Sequence, residues 1–116
     1  MITITPQMKV RLYCQPIDFR KGIDGLVGLT RQCFNEDPFL GSVFLFRNRK
    51  ANSVKILVYD GQGFWLCQKR LSKGRFRHWP KSQVEALRLT PPDIGVLLFN
   101  GDPQKSGMTP AWRKVN

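Results

Sequence analysis

Carboxylates are scarce in this chain. Its 116 residues hold 8 Asp and Glu against 19 Lys and Arg, a net charge of +11, with a single histidine. Hydrolytic nucleases and DNA strand-transferases bring two or three carboxylates together on divalent metal. The acids here read as local structure instead: Asp18 and Asp93 as helix caps, Asp60 as a turn residue, Glu36-Asp37 as a helix-end loop. His78 has no serine or cysteine near it in the context of a nucleophile, which argues against Ser/His or Cys/His catalysis. Cysteine is sparse too. Cys14, Cys33 and Cys67 are odd in number, far apart and without a Cys-x-x-Cys knuckle. That pattern fits reduced, structural thiols in a cytoplasm better than zinc or disulfides. No run approaches the ~20 apolar residues that a bilayer span needs. MITITPQMKV has no apolar stretch behind a basic start, so no secretion signal is expected. Gly61-Gln62-Gly63 does not continue into a dinucleotide fingerprint, and no Gly-Lys-Ser/Thr makes a P-loop. Gly22-Ile23-Asp24-Gly25 resembles the GxxG loop of KH domains, but the surrounding strand order does not fit. The expectation is a protein with no catalytic residues, no metal site and no cofactor.

What the chain has in excess is positive charge, and it is concentrated. Between Arg47 and Lys81 stand ten cations against Asp60 alone, and the outer parts are nearly balanced. The stretch KRLSKGRFRHWP, Lys69 to Pro80, has no carboxylate at all. An excess of this size favours polyanions such as nucleic acid or an anionic membrane surface. A solvated strand face with lysines guarding a sheet edge is the plainer reading, but edge protection normally mixes signs. Arginine supplies five of the ten, and its planar fork suits phosphate oxygens. Nucleic acid and an acidic protein surface both remain open as partners on this evidence. Phe76 and Trp79 among these cations read as core before they read as base-stacking platforms.

With 41% hydrophobic and 23% charged residues, the composition is that of one globular domain. Lys9–Ile17 alternates Val10, Leu12, Cys14 against Lys9, Arg11, Tyr13, a half-buried strand that Pro16 ends. Asp18 then caps a helix expected over Arg20–Phe34, with Gly22, Gly25 and Gly28 forming a stripe for close backbone packing. Strands are expected at Ser42–Asn48, Ser53–Asp60 and Gly63–Leu71, the last two joined by Asp60-Gly61-Gln62-Gly63, and again at Arg75–Trp79. Thr90-Pro91-Pro92-Asp93 opens a short apolar helix that Gly101 closes. The expected fold is a single α+β domain over 1–100, a mostly antiparallel β-meander packed against one main helix, with a short C-terminal helix and a polar tail over 101–116.

Three stretches carry a more specific signal. QPIDFRKGIDGL (Gln15–Leu26), DPFLGSVFLFRNRK (Asp37–Lys50) and KILVYDGQGFWLCQKRLSKGRF (Lys55–Phe76), followed by Trp79-Pro80, resemble the TnpB-type accessory protein of the bacterial insertion sequence 66 family. The match spans roughly residues 5–100, with Tyr59 where the family often has Trp and Ser72 where an acid is usual. The resemblance implies a small protein encoded beside a separate, larger transposase and needed for transposition without supplying the cutting chemistry. DNA contact, expected through a basic face of the β-sheet, is an inference from charge, since the resemblance identifies the pathway and not the contact. The candidate nucleic-acid-binding residues are Arg20, Lys21, Arg47, Arg49, Lys50, Lys69, Arg70, Lys73, Arg75 and Arg77. The expected partners are DNA at transposon ends and the transposase of the same element, with no membrane; the alternative is an adaptor whose basic face docks an acidic surface of that transposase. Oligomeric state is not legible in the sequence.

Overall fold

Val10, Leu12 and Cys14 alternate with Arg11 and Tyr13, and the segment forms strand β1 (Val10–Pro16). In the computed structural model, residues 4–81 and 86–99 and the backbone of Arg113–Lys114 are described. Helix α1 (Ile23–Cys33) and a single 3-10 turn at Pro38–Leu40 lead from β1 to β2 (Val43–Arg47). β2 pairs with β1 in parallel, with Val10 beside Val43 and Leu12 beside Leu45, before the register shifts at Pro16. Proline has no N–H to give the ladder, which fits the break there. Parallel pairing demands a long crossover, and α1 supplies it.

β3 (Ser53–Tyr59) and β4 (Phe64–Arg70) then pair antiparallel as the expected meander. Their turn is held by Asp60, whose Oδ1 accepts from the Gln62 and Gly63 N–H groups at 2.9 Å. Gly61 supplies the positive φ of 97°. The chain returns through Leu71–Lys81 to β5 (Ala86–Leu89), antiparallel to β1, and α2 (Pro91–Leu98) follows. The backbone of β6 (Arg113–Lys114) pairs with β5, giving the order β4-β3-β2-β1-β5-β6. The rest of the expected tail over 101–116 lies outside the described residues.

Both faces of the sheet are buried. Phe44, Phe46 and Leu57 pack with Leu26 and Phe34 of the α1 side. Val10, Leu12, Val43, Leu45, Val54 and Val58 pack with Phe76, Trp79, Ile94 and Leu97 on the other. Burying each of these side chains contributes about 1.5–3 kcal/mol.

The α+β domain stands, with amendments. The sheet is mixed, because β1 and β2 are parallel. Arg75–Trp79 is not a strand. Phe76 and Trp79 are both buried three residues apart, a spacing that a strand would put on opposite faces, and the Trp79 indole donates to the Tyr13 carbonyl at 3.0 Å. α1 starts at Ile23 behind Gly22, and Asp18 caps a turn ahead of it by accepting from the Arg20 N–H at 2.9 Å. The glycine stripe packs against no neighbouring element: a Cβ at Gly22 or Gly28 would meet nothing within 4 Å, and one at Gly25 would meet the Lys21 side chain. Thr90-Pro91-Pro92-Asp93 opens α2 as expected, with the Asp93 carboxylate accepting from the Thr90 N–H at 2.9 Å.

The open space at Gly28 has a measurable consequence. Gly28→Ala should stabilise the protein by about 0.5–1 kcal/mol, because alanine is the better helix former. Thermal melts should show the midpoint rising by about 2–5 °C.

Burial of Cys14 has another. It pushes the thiol from its ordinary 9.0 up to about 11, against a smaller opposing effect of Arg47. The folded pKa is raised, so this stability is whole below about pH 9 and is lost as pH rises toward 11. Urea denaturation should show the stability margin of the wild type over Cys14→Ala narrowing across that window; a margin constant with pH contradicts the assignment.

Candidate nucleic-acid interface

β1, β2 and β4 all run in one direction, since β2 is parallel to β1 and is related to β4 by two antiparallel steps. The segments that follow these three strands therefore emerge at the same end of the sheet. They are Ile17–Gly22, Asn48–Asn52 and Leu71–Lys81, and they carry most of the candidate cations.

The middle segment is a rigid turn. The Asn48 side chain accepts from the Asn52 and Ser53 N–H groups at 3.0 and 3.1 Å and donates to Asn52 Oδ1 at 2.6 Å. Ala51 takes a left-handed φ of 56°, and its carbonyl accepts from the Phe76 N–H at 2.7 Å. That bond fastens the returning chain to the turn. Arg49 and Lys50 are left exposed at the tip.

A hollow lies on each side of this ridge. One, of about 660 Å³, is lined by Arg20, Arg49, Lys50 and Arg70, with Asp18 as its one acid. The other, of about 380 Å³, is lined by Arg47, Arg49, Lys50, Arg75, Arg77 and Lys81, with no acid. Asp18 is already engaged: Arg20 Nη2 meets its Oδ2 at 2.7 Å, and hydrogen bonds from Arg20 hold the carboxyl down at about 2. The two hollows form one basic rim.

The structure thus brings seven of the ten candidates together: Arg20, Arg47, Arg49, Lys50, Arg70, Arg75 and Arg77. Arg47 is half-buried, with Nε 3.4 Å from the Cys14 carbonyl and Nη1 3.3 Å from that of Asn48, and burial lowers its pKa from the ordinary arginine value. Lys21 is exposed at the entry to α1 and Lys73 in the turn after β4, both outside the hollows. Lys69 points elsewhere. Its Nζ donates to the Leu98 carbonyl at the end of α2 at 2.5 Å and lies 4.5 Å from the Phe99 ring centroid.

Lys55, one of the ten cations of the basic segment, is also withdrawn. It is buried, and its ammonium donates to the Phe19 and Lys21 carbonyls at 2.7 and 2.9 Å. It holds the segment after β1 in place. Lys81 is the rim residue missing from the candidates; it belongs to the same basic segment, but Pro80 separates it from the RFRHW stretch. Phe76 and Trp79 are core residues, so no base stacks on them where they stand.

The acids are accounted for one at a time. Glu36 pairs with the buried Arg11, Asp37 accepts from the Phe39 N–H, and Asp60 and Asp93 hold their turn and helix start. Asp24 is exposed in the first turn of α1; Glu85 and Asp102 lie outside the described residues. Among the described residues no three of His, Cys, Asp and Glu gather to hold a metal ion. No helix among them is long and apolar enough to cross a membrane.

Known proteins agree with the motifs. The IS66 Orf2-like protein family matches residues 8–106. Uncharacterized protein y4jC of Sinorhizobium fredii is 32% identical over 102 residues, covering 88% of this chain and 86% of its own length. Uncharacterized protein y4hO of the same organism is 35% identical over 85 residues, 73% of each chain. No solved structure matches. On the span of the family match and the coverage of these relatives, the chain belongs to the IS66 Orf2-like family.

Proposed function

We propose that this protein is a non-catalytic accessory factor for transposition of an insertion sequence, and that its basic rim holds the phosphates of DNA at or near the transposon ends while the separate transposase acts there. The observation that carries this reading is the pair of hollows flanking Arg49 and Lys50, where eight cations meet one acid that is already paired. Family membership supplies the setting. The chemistry of the rim favours phosphate as the ligand: guanidinium and ammonium donors on and beside a fixed turn match its oxygens. This contact is made with the end of the sheet and not its face, because both faces are filled by the core.

Neutralised phosphates release counterions, so affinity should fall steeply with salt. About four to six contacts give a log–log slope of about −4 to −5. Arg49→Ala/Lys50→Ala should weaken binding to transposon-end and scrambled duplexes alike and flatten the slope by about two units, because each lost contact removes about 0.9. Arg88→Ala, an exposed cation on β5, should leave the slope unchanged. Mobility shifts at several salt concentrations check this. A slope indifferent to Arg49 and Lys50, together with a transposase complex that fails without them, would instead favour the adaptor.

The absence of cutting chemistry is tested separately. Supercoiled plasmid incubated with the protein and Mg²⁺ or Mn²⁺ should stay intact; nicking abolished by Asp18→Ala or Asp24→Ala would sink this part of the reading.

A further inference from the structure

β4 is the last strand on its side of the sheet, and no described strand pairs with its outer edge. Seven residues long and free of proline, it is the kind of edge that accepts another strand. Which backbone groups face outward follows from the turns. The Leu71 N–H donates to the Asn52 carbonyl, and the Gly63 carbonyl accepts from the Asp60 N–H, so odd-numbered residues of β4 bond to β3. Phe64, Leu66, Gln68 and Arg70 therefore direct their N–H and C=O groups away from the sheet.

We infer that this edge pairs antiparallel with the β4 edge of a second copy of the chain, across a two-fold axis at Cys67. An antiparallel two-fold must place residues of the same face opposite each other, and the register that uses all seven residues is the one centred on Cys67. In that register Phe64 and Leu66 exchange hydrogen bonds with Arg70 and Gln68 of the second copy. Trp65 falls opposite Lys69. Cations therefore meet aromatic rings on both faces, and no like charges are paired.

Three further observations favour a second copy as the occupant. Trp65 and Phe99 are 43% and 83% exposed, and Lys69 lies against the Phe99 ring, so a Trp65 arriving opposite Lys69 reaches that same apolar site. On the α1 side, Phe64 belongs to a cluster with Tyr59 and Phe39 at centroid distances of 4.9 and 5.1 Å, which offers Arg70 of the second copy an aromatic face. The two-fold also sets the Asp60 turn of one copy beside the Lys73 turn of the other, while the two basic rims lie at opposite ends. The repulsion between two chains of +11 is thereby reduced. Gln68 and Arg70 line both this edge and the larger hollow, whereas Arg49 and Lys50 belong to the ridge alone, and the test of the edge does not involve DNA.

Cys67 gives the register a direct readout. It bonds inward to β3, so across the two-fold it forms a non-hydrogen-bonded pair with itself, where Cα atoms approach to about 4.5 Å. That lies within the range a disulfide accepts. Sedimentation equilibrium of the full chain, at salt high enough to screen its charge, should show a dimer. Copper phenanthroline, taking two electrons and two protons from a pair of thiols, should yield a covalent dimer on non-reducing gels. The covalent dimer should persist in Cys33→Ala and vanish in Cys67→Ala. Gln68→Pro removes an outward N–H and no ladder bond, so it should leave the circular dichroism unchanged and yield a monomer. A monomer at every concentration, a folded Gln68→Pro that still dimerises, or a dimer that does not cross-link through Cys67 overturns the proposal.

Discussion

The parallel pairing of β1 with β2 is the constraint on which the rest of the molecule depends. Two adjacent strands running the same way cannot be joined by a tight turn, so α1 must cross the sheet and in doing so covers one face. The same pairing decides where the loops come out. Because β4 also runs with β1 and β2, the three segments that follow these strands share one end of the sheet. Cations far apart in the sequence, Arg20, Arg49 and Arg77 among them, thereby line adjoining hollows. Reversing β1 alone would send the Arg20 segment to the opposite end and dismantle the larger hollow.

The second constraint is that 116 residues must bury both faces of this sheet. Elements that cover a face need fastening, and two cations of the basic segment, Lys55 and Lys69, serve that purpose, while a third, Arg47, is drawn in against backbone carbonyls. Lys55 holds the Phe19–Lys21 carbonyls, Lys69 holds the C-terminal end of α2, and Arg47 lies against the carbonyls of Cys14 and Asn48. A buried ammonium without acceptors would be costly; the two backbone carbonyls satisfy it. Charge in a sequence is thus not the same quantity as charge on a surface.

That distinction also explains what could be read in advance. The strands over Val10–Pro16 and Ser53–Arg70, the Asp60 turn and the start of α2 were legible, because alternation, a glycine with positive φ and a Thr-Pro-Pro-Asp cap are local signals. The parallel pairing was not, since strand direction is set by the crossover and leaves no periodic mark. Arg75–Trp79 imitates a strand by alternating Phe76 and His78 with cations, yet its two buried rings sit three apart and plug the core as a loop. Ala86–Leu89 went unassigned because four residues give two periods of alternation and no more. At the site, residue type marked the basic segment, but whether a lysine faces a carbonyl or water depends on neighbours distant in sequence. Lys69 and Arg70 are adjacent on β4 and point to opposite faces, and only Lys69 meets a distant partner, the Leu98 carbonyl.

The acids complete the argument about orientation. Glu36, Asp37, Asp60 and Asp93 lie where β1, β2 and β4 begin, the end opposite the rim. Each holds a local structure that the fold needs there: a buried arginine, a 3-10 turn, a hairpin or a helix start. The excess of positive charge at the rim end thus arises from loop cations there, while at the other end the acids that cap and turn the chain offset cations such as Arg11. A polyanion approaching such a molecule experiences a torque as well as an attraction, and the rim turns toward it before contact. Orientation of that kind requires no base recognition.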